Sequence, residues 1–203
     1  MPIELCDIPP SALEAVKQAL LNPDARPRLP NLSRADMRKV SLSMPHQIAF
    51  LQLDSLRLGG LLLREAAHIT GWRFLVYEAR NEDKAANGVP HGTSVPIAAA
   101  TAIKDGEMQY KLGELNEGPL VEQTAEGIRY AENLVAVQRG TFEILFLIAP
   151  AVYVAALWLK NREGNADLVM ALPCSNPRLR PYDPITAGRF IETLKELARE
   201  VTI

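Results

Sequence analysis

Residues Ile144 to Leu159 (ILFLIAPAVYVAALWL) carry no charged side chain, and Glu143 and Lys160 bound the run. A bilayer-spanning helix needs about 20 apolar residues, more than this run offers. Its β-branched and aromatic side chains, with Pro150 in the middle, predict two buried strands, Phe142–Ala149 and Val152–Leu159, meeting at a bend. A polar loop over Lys160–Asp167 and a further apolar stretch, Leu168–Leu172, predict a third strand antiparallel to the second.

The rest of the chain alternates between the two periodicities. Ser11 and Glu14 have capping-box spacing, and Leu13, Val16 and Leu20 share a helical face, which predicts a first helix over residues 11–22. Pro23–Pro30 reads as an extended connector, followed by a weakly helical or irregular stretch to Lys39. Gln47–Leu53 predicts a strand starting just after Pro45. Asp54–His68 fits either a short helix or an apolar arm, broken by Gly59-Gly60. A strand follows at Trp72–Glu78, opened by Gly71, and then a polar loop over Ala79–Ser94.

Ile97–Leu112 predicts a hairpin. Asp105-Gly106 suits a two-residue turn with positive φ. That turn would set Lys104 against Glu107, Ile103 against Met108, Thr101 against Tyr110 and Ala99 against Leu112. Gly118-Pro119 opens a long amphipathic helix to Ala136, with Val121, Ala125, Ile128, Leu134 and Val135 as its apolar stripe. After the stiff segment Pro173–Pro184, Asp183 is the expected cap of a last helix, with Pro184 at its first position. Ala187, Phe190, Ile191, Leu194, Leu197 and Val201 form its inner face, and Arg189, Glu192, Lys195, Glu196 and Arg199 its wet one.

Strands joined mostly by turns predict an α+β fold, with a mainly antiparallel sheet of about six to seven strands and three main helices packed on one face. A single domain over residues 1–203 is expected, with the N-terminal helix and connector, residues 1–45, packed onto it.

Composition narrows the partners. A chain of 203 residues with net charge −2 has no global attraction for nucleic acid or anionic lipid. The expected partners are therefore neither nucleic acid nor a membrane. Two cysteines, Cys6 and Cys174, make no disulfide framework, and MPIELCDIPP lacks the basic start and apolar core of a signal peptide. Both observations predict a cytoplasmic protein.

Candidate chemistry is sparse. His46, His68 and His91 lack a second ligand at metal spacing, so no metal and no cofactor is expected. The sequence holds no phosphate-binding loop, dinucleotide fingerprint or nucleophile elbow. Cys174 has nearby arginines to lower its pKa but no identifiable base. Two Arg-Pro segments, Arg26–Pro30 and Pro177–Pro181, hold guanidinium groups on stiff backbone, suited to a carboxylate, a phosphate or a partner groove. The acids Glu114, Glu117 and Glu122 suit the N-terminus of the long helix. Two functions follow as expectations. The first is a soluble, non-catalytic binding, assembly or accessory protein that self-associates or takes a protein partner. The alternative is a small enzyme or small-molecule-binding protein. It would hold an anion-accepting pocket between sheet and helices, with His91, Arg178 and Arg180 at the mouth and Tyr153 and Trp158 inside.

Overall fold

The computed structural model describes residues 3, 7–22, 24, 29–58, 62–79, 95–106, 109–164, 166–173 and 175–201. The fold is α+β with eight strands among the described residues, one or two more than the sequence pattern predicts, and they pair mostly antiparallel. The chain divides into two compact units. The first comprises Met1–Cys6, Gln47–Thr70 and Glu126–Ile203, and the second Asp7–His46 and Gly71–Ala125.

The first unit is built on β5 (Phe142–Ala149), β6 (Val154–Asn161), β7 (Leu168–Ala171), β8 (Pro184–Thr186) and the end of β1 (Val40–Leu51), in the order β1-β5-β6-β7-β8. The apolar run is two strands, as its composition predicts. A 3-10 turn at Pro150–Val152 joins them, and they pair without interruption from Phe142↔Asn161 to Ala149↔Val154. β1 and β5 pair in parallel from Gln47↔Leu145 onward. β1 itself starts at Val40, seven residues before its expected start, and passes through Pro45. The described pairing with β5 begins beyond that proline, so the missing N–H takes no part in it.

Alternation gives the two faces of this sheet different covers. Leu145, Leu147, Ala156, Trp158 and Val169 pack with Phe190, Ile191, Leu194 and Leu197 of α7 (Ala187–Glu200), joined by Leu56 of α3 (Leu53–Leu58) and Leu63 of α4 (Leu63–Ala66). On the opposite face, Leu157 meets Gly127 of α5 (Pro119–Glu132) so closely that a Cβ there would lie 2.8 Å from Leu157 Cδ1. Helices therefore cover both faces here, not one. β5 and β6 leave no polar face for water, so both sides demand cover. The ambiguous stretch 54–68 resolves into α3, α4 and the start of β2 (Ala67–Glu78), with residues 59–61 outside those described.

Helix ends depart from the sequence expectations. α1 (Pro10–Leu21) starts with Pro10 in its first turn and no side-chain cap, so Ser11 and Glu14 form no capping box. The proline's preset φ does that work. α5 stops at Glu132, and a separate short helix, α6 (Val135–Arg139), follows. Val135 is 59% exposed rather than part of the apolar stripe. Thr186, not Asp183, caps α7 by accepting from the Arg189 N–H at 3.3 Å, because residues 184–186 are used as β8. Lys195, expected on the wet face, is 9% exposed and reaches Glu192 at 2.7 Å. Its long stem can lie along apolar surface while the ammonium finds a carboxylate.

The second unit contains α1, α2 (Pro30–Arg34), β3 (Pro96–Lys104), β4 (Tyr110–Asn116) and parts of β1, β2 and α5, in strand order β4-β3-β2-β1. α1 packs on β3 and β4 through Ala12, Val16 and Leu20. β2 begins four residues ahead of Gly71, which lies inside the strand. A Cβ on Gly71 would fall 2.2 Å from the Ala102 carbonyl oxygen, so only glycine permits this approach. The β3–β4 hairpin exists, but its register is not the expected one. Lys104 pairs with Tyr110, Ile103 with Lys111 and Ala102 with Leu112. A bulge then skips Gly113, and Thr101 pairs with Glu114. The connection closes with Asp105 N–H donating to Gln109 O, so the loop is longer than a two-residue turn. Gly106 keeps the positive φ that its sequence suggests. Ala79 is described; the remainder of the expected loop to Ser94, with His91, lies outside the described residues.

Candidate functional site

Several charged groups of the first unit are committed to structure. Asp167 is 3% exposed. Its carboxylate accepts from Arg64 Nε and Nη2 at 2.8 and 2.5 Å, from Trp158 Nε1 at 3.0 Å and from the Asn161 N–H at 2.9 Å. Burial raises the pKa of this carboxyl, but the Arg64 bonds and the two N–H donors outweigh it and hold it below the ordinary aspartate value. Arg64 also donates to the Asn161 and Gly164 carbonyls, both at 2.7 Å. The cluster ties α4 to the β6–β7 connection, and it uses the indole N–H of Trp158.

The second unit has a parallel case. Arg73, Thr101 and Glu114 are register partners across β2, β3 and β4, so their side chains leave one face in a row. Arg73 is 2% exposed and its Nη2 lies 3.3 Å from Asn116 Oδ1. Burial pulls its pKa down to about 10, with Glu114 opposing, so it stays charged at neutral pH. Glu117, expected at the head of α5, instead accepts from the N–H groups of Leu32 and Asn31 at 2.7 and 3.1 Å and caps α2.

The residues expected around a pocket have the following places. Trp158 lies under α7 and bonds Asp167. Tyr153, expected inside, is 80% exposed. It follows the 3-10 turn, and its φ of 55° is left-handed, which takes it out of the strand pattern. Arg178 is paired with Glu200 at 2.7 Å, which holds the guanidinium above its ordinary pKa. Arg180 is exposed. His91 and Cys174 lie outside the described residues, as does most of the Arg26–Pro30 segment. Among the described residues no His/Cys/Asp/Glu group could hold a metal ion, and no helix is long and apolar enough to cross a membrane.

A different cluster stands out. Among the described residues, the non-glycine positions with positive φ are Tyr153 and Tyr182. For an L-residue this conformation costs about 1–2 kcal/mol. Both lie toward one end of the strands of the first unit. Tyr153 precedes β6, and Tyr182 N–H donates to Ala171 O at the end of β7. Ser175 braces the same end by donating to Ala155 O and accepting from Ala155 N–H. Leu179 is buried beneath the segment and anchors it.

Tyr182 is seated against α5. Its hydroxyl donates to Glu126 Oε2 at 3.0 Å, and its ring stacks on Tyr130 with centroids 6.1 Å apart and planes at 23°. A Cβ on Gly127 would lie 3.3 Å from Tyr182 Cε1 as well as against Leu157 and Leu172. A helix-interior glycine costs about 1 kcal/mol relative to alanine, and here it admits both the sheet and the tyrosine. Sequence reasoning missed Glu126, Gly127, Tyr130 and Tyr182. The one signal it had was a glycine inside an amphipathic helical pattern, which points to close packing. No family model matches the chain, and no similar curated protein or solved structure was found.

Proposed function

We propose that the protein is a non-catalytic binding or assembly module whose contact surface is the end of the first unit that carries Tyr153 and Tyr182. The observation behind this reading is that both left-handed non-glycine positions among the described residues are tyrosines. Backbone strain concentrates where a side chain must be presented in a fixed direction. Tyrosine supplies a large contact area with few rotatable bonds, and it is enriched among residues that dominate binding energy. Pro150, Pro177 and Pro181 are exposed beside these residues in sequence, and such stiff backbone loses little entropy when a partner docks.

Photocrosslinking tests the proposal. The full chain carries a benzophenone amino acid at position 153, or at exposed Glu163 as a control, and is irradiated in extract of its own cells. The reading expects one discrete adduct at 153 that is absent at 163. Excess unmodified protein should compete it away, while excess Tyr153→Gly protein should not. Equal labelling at both positions, or equal competition by both proteins, would rule out Tyr153 as the contact.

A further inference from the structure

The stacked tyrosines carry a second inference, which stands on ring geometry and not on the binding proposal. We propose that Tyr130 and Tyr182 form a site of oxidative modification, an intramolecular dityrosine bond made by a one-electron oxidant such as the ferryl haem of a peroxidase.

Three features converge on this chemistry. The rings are already paired, at 6.1 Å between centroids and 23° between planes. Holding two reactants together replaces a bimolecular encounter with an intramolecular one. Tyr182 donates its phenolic proton to Glu126 Oε2 at 3.0 Å. A phenol loses an electron more readily when a base accepts the proton in the same event, and this carboxylate is in place. Tyr130 is 49% exposed, so the pair is open to an oxidant in solution. The left-handed backbone at Tyr182 and the bare backbone at Gly127 fix the second ring.

Each phenol gives one electron to one equivalent of oxidant and one proton to a base. Glu126 takes the proton of Tyr182, and water takes that of Tyr130. The two radicals join through ring carbons ortho to the oxygens. The hydrogens on those carbons then move to the carbonyl oxygens of the coupled rings as the rings become aromatic again. The protein loses two hydrogen atoms in all, and the bond ties α5 to the segment before β8.

Exposure alone makes the opposite forecast, because among the described residues Tyr153 is the most exposed of the large apolar and aromatic side chains at 80%. It should oxidise first and couple between molecules. The experiment treats the purified full chain with a haem peroxidase and limiting peroxide, then maps cross-linked peptides by mass spectrometry. The expected product is a monomer lighter by two hydrogens, with blue dityrosine fluorescence and a peptide pair joining Tyr130 to Tyr182. Tyr130→Phe should abolish that pair while circular dichroism stays unchanged. Glu126→Gln should form it several-fold more slowly near neutral pH. Predominance of Tyr153-linked dimers, or a full yield of dityrosine monomer in Tyr130→Phe, would overturn the site. An unchanged rate in Glu126→Gln would remove the carboxylate as the proton acceptor.

Discussion

Two hairpins of this chain reach their registers by different physics. β5 and β6 pair through eight consecutive partners without a slip. β3 and β4 pair with a bulge and a longer loop than their turn residues suggest. In the first, most side chains on both faces are buried, so a one-residue slip would exchange the contents of the two covers at once. In the second, β4 is at the end of its strand order and none of its residues is fully buried. Burial there restrains register weakly, and a glycine decides it. Gly113 is the residue skipped, and a Cβ on it would lie 2.7 Å from Ile103 Cγ2. The bulge also suits an edge strand, since it twists the open side away from a second chain.

The largest effect should come from the first hairpin. Phe146 is fully buried on β5, and Phe146→Ala should cost about 3–5 kcal/mol. Urea denaturation followed by circular dichroism checks this. A loss under about 1 kcal/mol would mean that the face against α5 is less tightly packed than the buried side chains indicate.

Asp167 sharpens the comparison through its charge. Asp167→Asn leaves Arg64 beside a neutral partner and should cost about 2–4 kcal/mol at pH 7. The carboxyl is held below its ordinary pKa in the folded state. Its contribution is therefore complete above the unfolded value, near 4, and fades as pH falls through the lower folded value. The wild type should lose stability on acidification below about pH 4 more steeply than Asp167→Asn does. Denaturation midpoints at a series of pH values, followed by tryptophan fluorescence, measure the difference. Parallel pH profiles for the two proteins would remove the carboxylate from the account.

A smaller effect belongs to the bulge. Gly113→Ala should cost about 1–2 kcal/mol by crowding Ile103. Combining it with Ile103→Ala should recover about 1 kcal/mol of that penalty, because the offending methyl is gone. A double-mutant cycle reads this coupling. Additive losses would place the strain in the backbone instead.

The same contrast explains what could be read from the chain. The paired strands at residues 142–161 were legible because continuous apolar composition is their physical requirement. The existence of the β3–β4 hairpin was legible from Asp105-Gly106, but its register was not. The positive φ at Gly106 serves a longer loop equally well, and Gly113 carried the missing information. Thr186 was hidden as a helix cap because Asp183-Pro184 is the better local signal, and only the pairing of β8 with β7 overrides it. The candidate site was hardly legible. Tyr182 meets Glu126 and Tyr130 across more than fifty residues of chain, and no local pattern reports such a contact. Tyr153 was singled out for its aromatic ring, and its outward direction follows from a backbone conformation that composition does not reveal.

The smallest effect bears most on that site. Tyr153 is mostly exposed, so removing its ring sacrifices little burial. Its left-handed φ of 55° is a cost that glycine does not bear. Tyr153→Ala and Tyr153→Gly lose the same ring and differ chiefly in that backbone term. The glycine variant should therefore be the more stable by about 1 kcal/mol, and at least as stable as the wild type. Thermal denaturation of the three proteins measures both differences. Equal stability of the alanine and glycine variants would show that the turn relaxes at no cost. The tyrosine would then be held there without strain, and presentation of its ring would not have been favoured over stability. A more stable glycine variant that no longer competes for the photocrosslinked partner would separate the two roles, one sacrificed in stability and the other gained in contact.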